Sequence, residues 1–155
     1  MNARVVGVAF LSAMSLVFAG CAAPVAEVPV ALEGIQPCDD SIASAVEATI
    51  STQVDAFGRE DFPAAYAMAA PDFQAAIGLE EFEEVIRDGF VPLMNVSSFS
   101  VSQCVYDPGL DQVEIGMTVT TTTGVVGSLL YSLVLVPEGW RIMGAIPNPQ
   151  TQQGT

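Results

Sequence analysis

The sequence contains no lysine and no histidine, and its 155 residues include four arginines against 18 acidic residues. The resulting formal net charge of −14 repels polyanions, so we exclude nucleic acids and anionic lipid headgroups as binding partners. Without histidine, the chain has no side chain that ordinarily titrates near neutral pH, and serine-hydrolase chemistry lacks its usual base. Neither a P-loop nor a dinucleotide fingerprint is present. These absences predict no bound cofactor and give catalysis little support.

Residues 1–20 have the layout of a secretory signal, with an apolar core followed by small residues. The Ala-Gly-Cys sequence ending at Cys21 predicts a lipoprotein signal, although Phe18 replaces the leucine usual at its position. We therefore expect acylation of Cys21, which anchors the protein in a membrane of the cell envelope, on the extracytoplasmic side. An ordinary signal cleaved near Ala22 is the alternative. An uncleaved membrane helix is disfavoured, because the apolar run is shorter than the ~20 residues that span a bilayer.

Three segments follow the predicted signal. Residues 21–37 lack clear periodicity and contain three prolines, so they predict a lipidated tether. The alternative is that residues 28–35 pack on the domain as an edge segment. Residues 38–146 have the length of one domain with its own core, and the polar residues 147–155 predict a disordered tail.

Helical signals fill the first half of the domain. Asp39 is placed to cap a first long helix with one apolar stripe, and Gly58 is predicted to end it in a positive-φ conformation. Asp61 is placed to cap a second helix. After it, Asp72 is expected to cap a short turn, and residues 79–88 predict a third helix.

Strand signals fill the second half. Residues 96–106, 112–123, 125–136 and 140–146 are rich in β-branched side chains and are joined by short turns. This pattern predicts a four-stranded antiparallel meander. The fold class is therefore α+β, with three N-terminal helices packed on one face of a curved sheet.

Several short segments occur in a characteristic order along the chain. They are 50–57, 60–62, 64–67, 70–71, 82–90, Gly139-Trp140-Arg141-Ile142 and Gly144. In this order they resemble a bacterial domain family of unknown function in the nuclear-transport-factor-2-like, or SnoaL-like, superfamily, over residues 46–146. The resemblance implies a cone-shaped, cystatin-like fold with a cavity between the helices and the concave sheet face. Superfamily members often dimerise through the sheet, and their enzymes commonly use His, Asp or Glu inside the cavity.

Ten large apolar or aromatic residues are candidates for lining such a cavity. For each of them the alternative is plain core packing, because aromatic and methionine side chains fill irregular interiors well. A lining of this kind suits a hydrophobic ligand or the side chain of a protein partner. The candidates are Phe57, Tyr66, Met68, Phe82, Phe90, Met117, Leu129, Tyr131, Leu133 and Trp140.

Two cysteines remain for the domain, Cys38 and Cys104. An oxidising compartment favours a disulfide between them, with two unpaired thiols as the alternative. Strict alternation along the strand predicts that Cys104 lies on the polar face, opposite to Phe99 and Val105. Two thiols without histidine fall short of a zinc ligand set, so no metal site is expected.

The leading functional hypothesis is a membrane-anchored envelope lipoprotein that binds an apolar small molecule or a protein partner without catalysis. A homodimer through the sheet face is one form that such a partner takes. The first alternative is a cofactor-independent enzyme performing proton transfer or hydrolysis in the cavity, with Asp55 and Asp72 as candidate acid/base residues. The second is a structural component of the envelope.

Overall fold

A computed structural model describes residues 34–148, which form five strands and four α-helices. Within this range, no helix is both long and apolar enough to cross a membrane. The predicted signal, Cys21, and most of the predicted tether and tail lie outside the described residues. In chain order the elements are β1 (Gln36–Pro37), α1 (Asp40–Gly58), α2 (Phe62–Tyr66), α3 (Pro71–Ala76), α4 (Leu79–Gly89), a 3-10 turn (Val91–Asn95), β2 (Val96–Asp107), β3 (Gln112–Thr121), β4 (Val126–Val136) and β5 (Gly139–Pro147).

The strands pair antiparallel in chain order, from β1 to β5. The predicted α+β class and antiparallel sheet are therefore confirmed. The prediction of four strands was wrong by one, because Gln36 and Pro37, which the sequence assigns to the tether, pair with Tyr106 and Val105 at the sheet edge. An edge position tolerates Pro37, since proline has no N–H to donate to a ladder.

Four α-helices are present among the described residues, rather than the three predicted. The additional helix is α3, which the sequence indicated only as a turn. Pro71 starts this helix, because its fixed φ suits the first helical position. The prediction that Asp72 caps the segment was wrong: Ala70 takes the N-cap position, and Asp72 lies inside the first turn.

Both ends of α1 are fixed by identifiable hydrogen bonds. At its start, the Asp39 carboxylate accepts a bond of 2.8 Å from the Ile42 N–H, which confirms the predicted cap. The prediction for its end was wrong, since Gly58 is the last helical residue and Glu60 takes the positive φ of 55°. The Glu60 and Asp61 N–H groups bond back to the Phe57 and Ala56 carbonyls at 2.9 Å each, and these bonds hold Glu60 in its left-handed conformation.

The core lies between α1 and the inner face of the sheet. Val46, Ile50, Val54 and Phe57 form the buried stripe of α1. They pack in one cluster with alternating residues of β3 and β4, and each buried side chain contributes about 1.5–3 kcal/mol. The strand residues of this cluster include Val113, Ile115, Met117, Val119, Tyr131 and Leu133.

A β-bulge interrupts β2 at Ser102 and Gln103. Val101 pairs with Met117 and Cys104 pairs with Ile115, so β2 holds one more residue than β3 between these pairs. The extra residue reverses the alternation. Cys104 therefore packs against the core and Val105 is 37% exposed, which corrects the face predicted for each of them.

The predicted disulfide between Cys38 and Cys104 is present, with a Cα–Cα distance of 5.4 Å. The Cys38 N–H also donates to the Cys104 carbonyl oxygen at 3.0 Å. Because Cys38 immediately follows β1, the disulfide joins the chain that enters α1 to β2, the strand beside the sheet edge.

Candidate functional site

An apolar cavity of about 120 Å³ lies between the helices and the inner face of the sheet. Helices α1, α3 and α4 and strands β4 and β5 all contribute to its wall. Gln53 and Tyr131 are its polar members. Its other lining residues are Phe57, Ala69, Phe73, Phe82, Val85, Ile86, Phe90, Leu93, Ile142, Gly144 and Ala145.

One end of the cavity is deeply buried and the other lies close to the surface. Phe57 and Tyr131 are 1% and 0% exposed. Val85, in contrast, is 43% exposed, and Ala145 is half-buried. The cavity therefore approaches the protein surface near Val85.

Phe82 is the centre of the aromatic part of the wall. Its ring centroid lies 5.4 Å from that of Tyr66, 5.9 Å from that of Phe57 and 6.1 Å from that of Phe73. These separations are typical of attractive aromatic pairs. The Phe82 ring of α4 thus contacts one aromatic ring from each of α1, α2 and α3.

The two polar side chains of the wall have different surroundings. The Gln53 amide, buried in α1, donates to the Ala65 carbonyl at 3.3 Å. The Tyr131 hydroxyl is the one buried side-chain N or O atom of the described residues that has no hydrogen-bond partner. Burial raises the pKa of Tyr131 well above its ordinary value, because the phenolate is poorly solvated there. Tyr131 is therefore a neutral hydroxyl at every physiological pH.

No charged side chain occurs in the described part of the wall. Between residues 34 and 148, no cluster of three or more His, Cys, Asp or Glu side chains is placed to hold a metal ion. The cavity therefore offers shape, apolar contact and two neutral polar groups to whatever occupies it.

Residues 40–155 match the protein family described as "Domain of unknown function (DUF4864)". The chain belongs to this family. No curated protein matches it. Among solved structures, the 1.8 Å structure of Aln2 from a Streptomyces species shares 15% identity, with 76% of this chain and 96% of Aln2 covered and a TM-score of 0.49. The description of this family names no activity.

Four of the ten residues predicted for the cavity lie in its wall: Phe57, Phe82, Phe90 and Tyr131. The other six pack elsewhere. Met117, Leu133 and Trp140 belong to the buried core, and Tyr66 and Met68 pack against it while half-buried. Leu129 lines a separate groove of about 420 Å³ that also contains Pro147.

Neither acid proposed for catalysis reaches the cavity. Asp55 and Asp72 are both exposed, and Asp72 borders a different groove of about 460 Å³. Asp55 lies one residue beyond Val54 and so falls on the solvent side of the α1 stripe. The hypothesis that these two residues act as buried acid/base groups was wrong.

Sequence reasoning missed nine of the thirteen wall residues, among them Gln53 and the small residues Ala69, Gly144 and Ala145. Gln53 is the third residue after Ile50 and the fourth before Phe57, so it occupies a stripe position of α1. A polar residue at an apolar position of the helical pattern was the signal that identifies it. Ala69 and Ala145 gave no such signal, because alanine is common both in cores and on surfaces.

The two tyrosines of this region make a matched pair for measuring hydrogen bonding. The Tyr66 hydroxyl donates to the Ile77 carbonyl at 2.7 Å and lies 3.0 Å from the Gln74 carbonyl oxygen, whereas the Tyr131 hydroxyl has no partner. We expect Tyr66→Phe to lower the free energy of unfolding by about 1–2 kcal/mol, and Tyr131→Phe to raise it by about 1 kcal/mol. Urea unfolding of both variants measures the difference. Equal losses would show that the Tyr131 hydroxyl is satisfied in solution.

Proposed function

We propose that this DUF4864 domain binds a small apolar molecule in its cavity without transforming it chemically. The observation that carries the proposal is the wall itself, in which aromatic and aliphatic side chains enclose about 120 Å³ and two neutral polar groups interrupt them. Pockets with this composition bind ligands through apolar contact and use their few polar groups for orientation.

The volume limits the size of the ligand. Pockets for drug-sized molecules typically measure about 300–1,000 Å³. An engineered apolar cavity of about 150 Å³ stays dry and binds benzene. A cavity of about 120 Å³ therefore suits one ring of about six atoms or a short branched chain.

Catalysis has no comparable support in the geometry. A general acid or base must lie within hydrogen-bonding reach of the reacting group. Among the described wall residues, the polar groups that could serve as a general acid or base are Gln53 and Tyr131. Gln53 does not titrate, and the raised pKa of Tyr131 keeps its hydroxyl protonated. The enzyme hypothesis is therefore not the one we propose.

We further propose that the domain works in the cell envelope, anchored through an acylated Cys21. The sequence motif before Cys21 supports the anchor. The Cys38–Cys104 disulfide supports an oxidising compartment, because such bonds rarely persist in the cytosol. Expression with radiolabelled palmitate tests the anchor directly, with Cys21→Ser as its control.

The finer fold assignment is also a proposal. We infer a cone-shaped SnoaL-like arrangement, supported by helices that precede an antiparallel meander and by a cavity between the two layers. A homodimer through the outer face of the sheet, or another protein partner there, stays a prediction.

A leucine at Ala145 is expected to abolish benzene binding by the full chain. Ala145 pairs with Tyr131 across β4 and β5 and lines the cavity, so a larger side chain there occupies the space that the ligand needs. NMR titration of the wild-type chain with benzene should give saturable shifts at the wall residues, and Ala145→Leu should give none.

The matched control is Ala48→Leu, which makes the same substitution at an exposed position of α1. This variant should bind benzene as the wild type does. No saturable binding by the wild type, or unchanged binding by Ala145→Leu, overturns the proposal.

A further inference from the structure

Tyr131 carries a hydroxyl group that packing in the core does not require. It lies in β4 between Ile115 of β3 and Ala145 of β5, and its side chain is 0% exposed. Most buried polar atoms in proteins have a hydrogen-bond partner, and an unsatisfied one costs about 1–3 kcal/mol. A phenylalanine fills almost the same volume without this cost. The Tyr131 hydroxyl therefore needs a hydrogen-bond partner that the protein atoms do not provide.

The other polar residue of the wall does not satisfy the Tyr131 hydroxyl. Gln53 shares the wall of the cavity, but its amide donates to the Ala65 carbonyl. A water molecule in the cavity is a poor substitute. Buried waters typically make about three hydrogen bonds, and this wall offers Tyr131 and Gln53 among apolar side chains.

The charge state of Tyr131 and of the cavity wall restricts which ligands the Tyr131 hydroxyl can bind. Because Tyr131 stays protonated, it offers a proton rather than a negative charge. Among the described residues, the wall holds no cation to compensate an anionic ligand. Burying an uncompensated carboxylate in such a site is strongly unfavourable.

Resting on the binding function proposed above, we infer that the ligand is a small neutral molecule whose carbonyl or ether oxygen accepts a hydrogen bond from the Tyr131 hydroxyl. The rest of the ligand is a hydrocarbon ring or chain that contacts Phe57, Phe82 and Ile142. Tyr131 thus sets the orientation of the ligand, and the apolar wall supplies most of its affinity.

Two probes of nearly the same shape test this inference on the full chain. Cyclohexanone carries the acceptor oxygen, and methylenecyclohexane replaces that oxygen with carbon. By NMR titration, we expect the ratio of ketone affinity to hydrocarbon affinity to be about fivefold higher for the wild type than for Tyr131→Phe, as one net hydrogen bond provides. The hydrocarbon itself should bind the two proteins equally.

The outcomes distinguish ligand binding by the cavity from the role of Tyr131 within it. If neither probe nor benzene binds the wild type, the binding function itself is wrong. If the ratio of ketone affinity to hydrocarbon affinity is the same for the wild type and Tyr131→Phe, the cavity is a binding site and the role of Tyr131 is wrong.

An infrared measurement on the wild type gives a second test that needs no folded variant. The carbonyl stretch of bound cyclohexanone should lie at lower frequency than in a hydrocarbon solvent, because hydrogen bonding weakens the C=O bond. A frequency equal to that in the hydrocarbon solvent overturns the inference.

Discussion

Replacing both Cys38 and Cys104 with serine is expected to lower the free energy of unfolding by about 4 kcal/mol. The bond joins residues that are 66 apart in sequence, and a loop of this length loses much of its conformational freedom in the unfolded chain when it is closed. Small domains have a total stability of about 5–15 kcal/mol, so the double variant loses a large share of it. Urea unfolding followed by circular dichroism measures the change.

Reduction of the wild type supplies the control for this experiment. A thiol reductant should shift the unfolding midpoint of the wild type toward that of the double variant, and it should leave the double variant unchanged. A decrease of less than about 1 kcal/mol in the free energy of unfolding of the double variant would contradict this expectation. This result would mean that residues 36–38 are held by noncovalent contacts alone, namely the pairing of β1 with β2 and the hydrogen bond from the Cys38 N–H to the Cys104 carbonyl.

Replacing Phe82 with alanine is expected to lower the free energy of unfolding by about 3–5 kcal/mol. Phe82 is 5% exposed and contacts three other aromatic rings, so truncation leaves a void that adjoins the existing cavity. Thermal and urea unfolding of the full chain measure the loss. In the same variant, the cavity should accept larger hydrocarbons than benzene.

Phe73→Ala is the matched control for Phe82. Phe73 lines the same cavity, but it is half-buried, and among the described residues its ring pairs with that of Phe82 alone. We therefore expect a clearly smaller decrease in the free energy of unfolding. Phe82→Leu, which keeps much of the side-chain volume, covers the case in which the alanine variant does not fold. Equal losses for Phe73→Ala and Phe82→Ala would contradict the central position of Phe82.

The regular part of the fold was open to sequence reasoning because it depends on local patterns. The four long strands begin and end within a residue or two of their predicted bounds, since β-branched runs and turn residues mark them. The edge strand β1 has no such pattern: it exists because Gln36 and Pro37 lie beside β2. The bulge in β2 did leave a signal in the sequence, because strict alternation puts Gln103 on the same face as Phe99 and Val105, and a polar residue there interrupts the apolar pattern.

The cavity was only partly predictable for a related reason. Large side chains such as Phe57 and Tyr131 stand out in a sequence whether they fill a core or line a void. The void itself arises where neighbouring residues are small, as at Ala69 and Ala145. These are properties of packing between distant segments, and no local pattern records them.

The bulge at Ser102 and Gln103 has a consequence for how the family varies over evolutionary time. Both side chains are exposed, so natural substitution at either position is expected to be nearly free. Deleting one of the two is a different event, because the rest of β2 changes phase and Cys104 turns toward solvent, away from Cys38. Descendant sequences are therefore expected to drift in composition at this point of the strand while keeping its length.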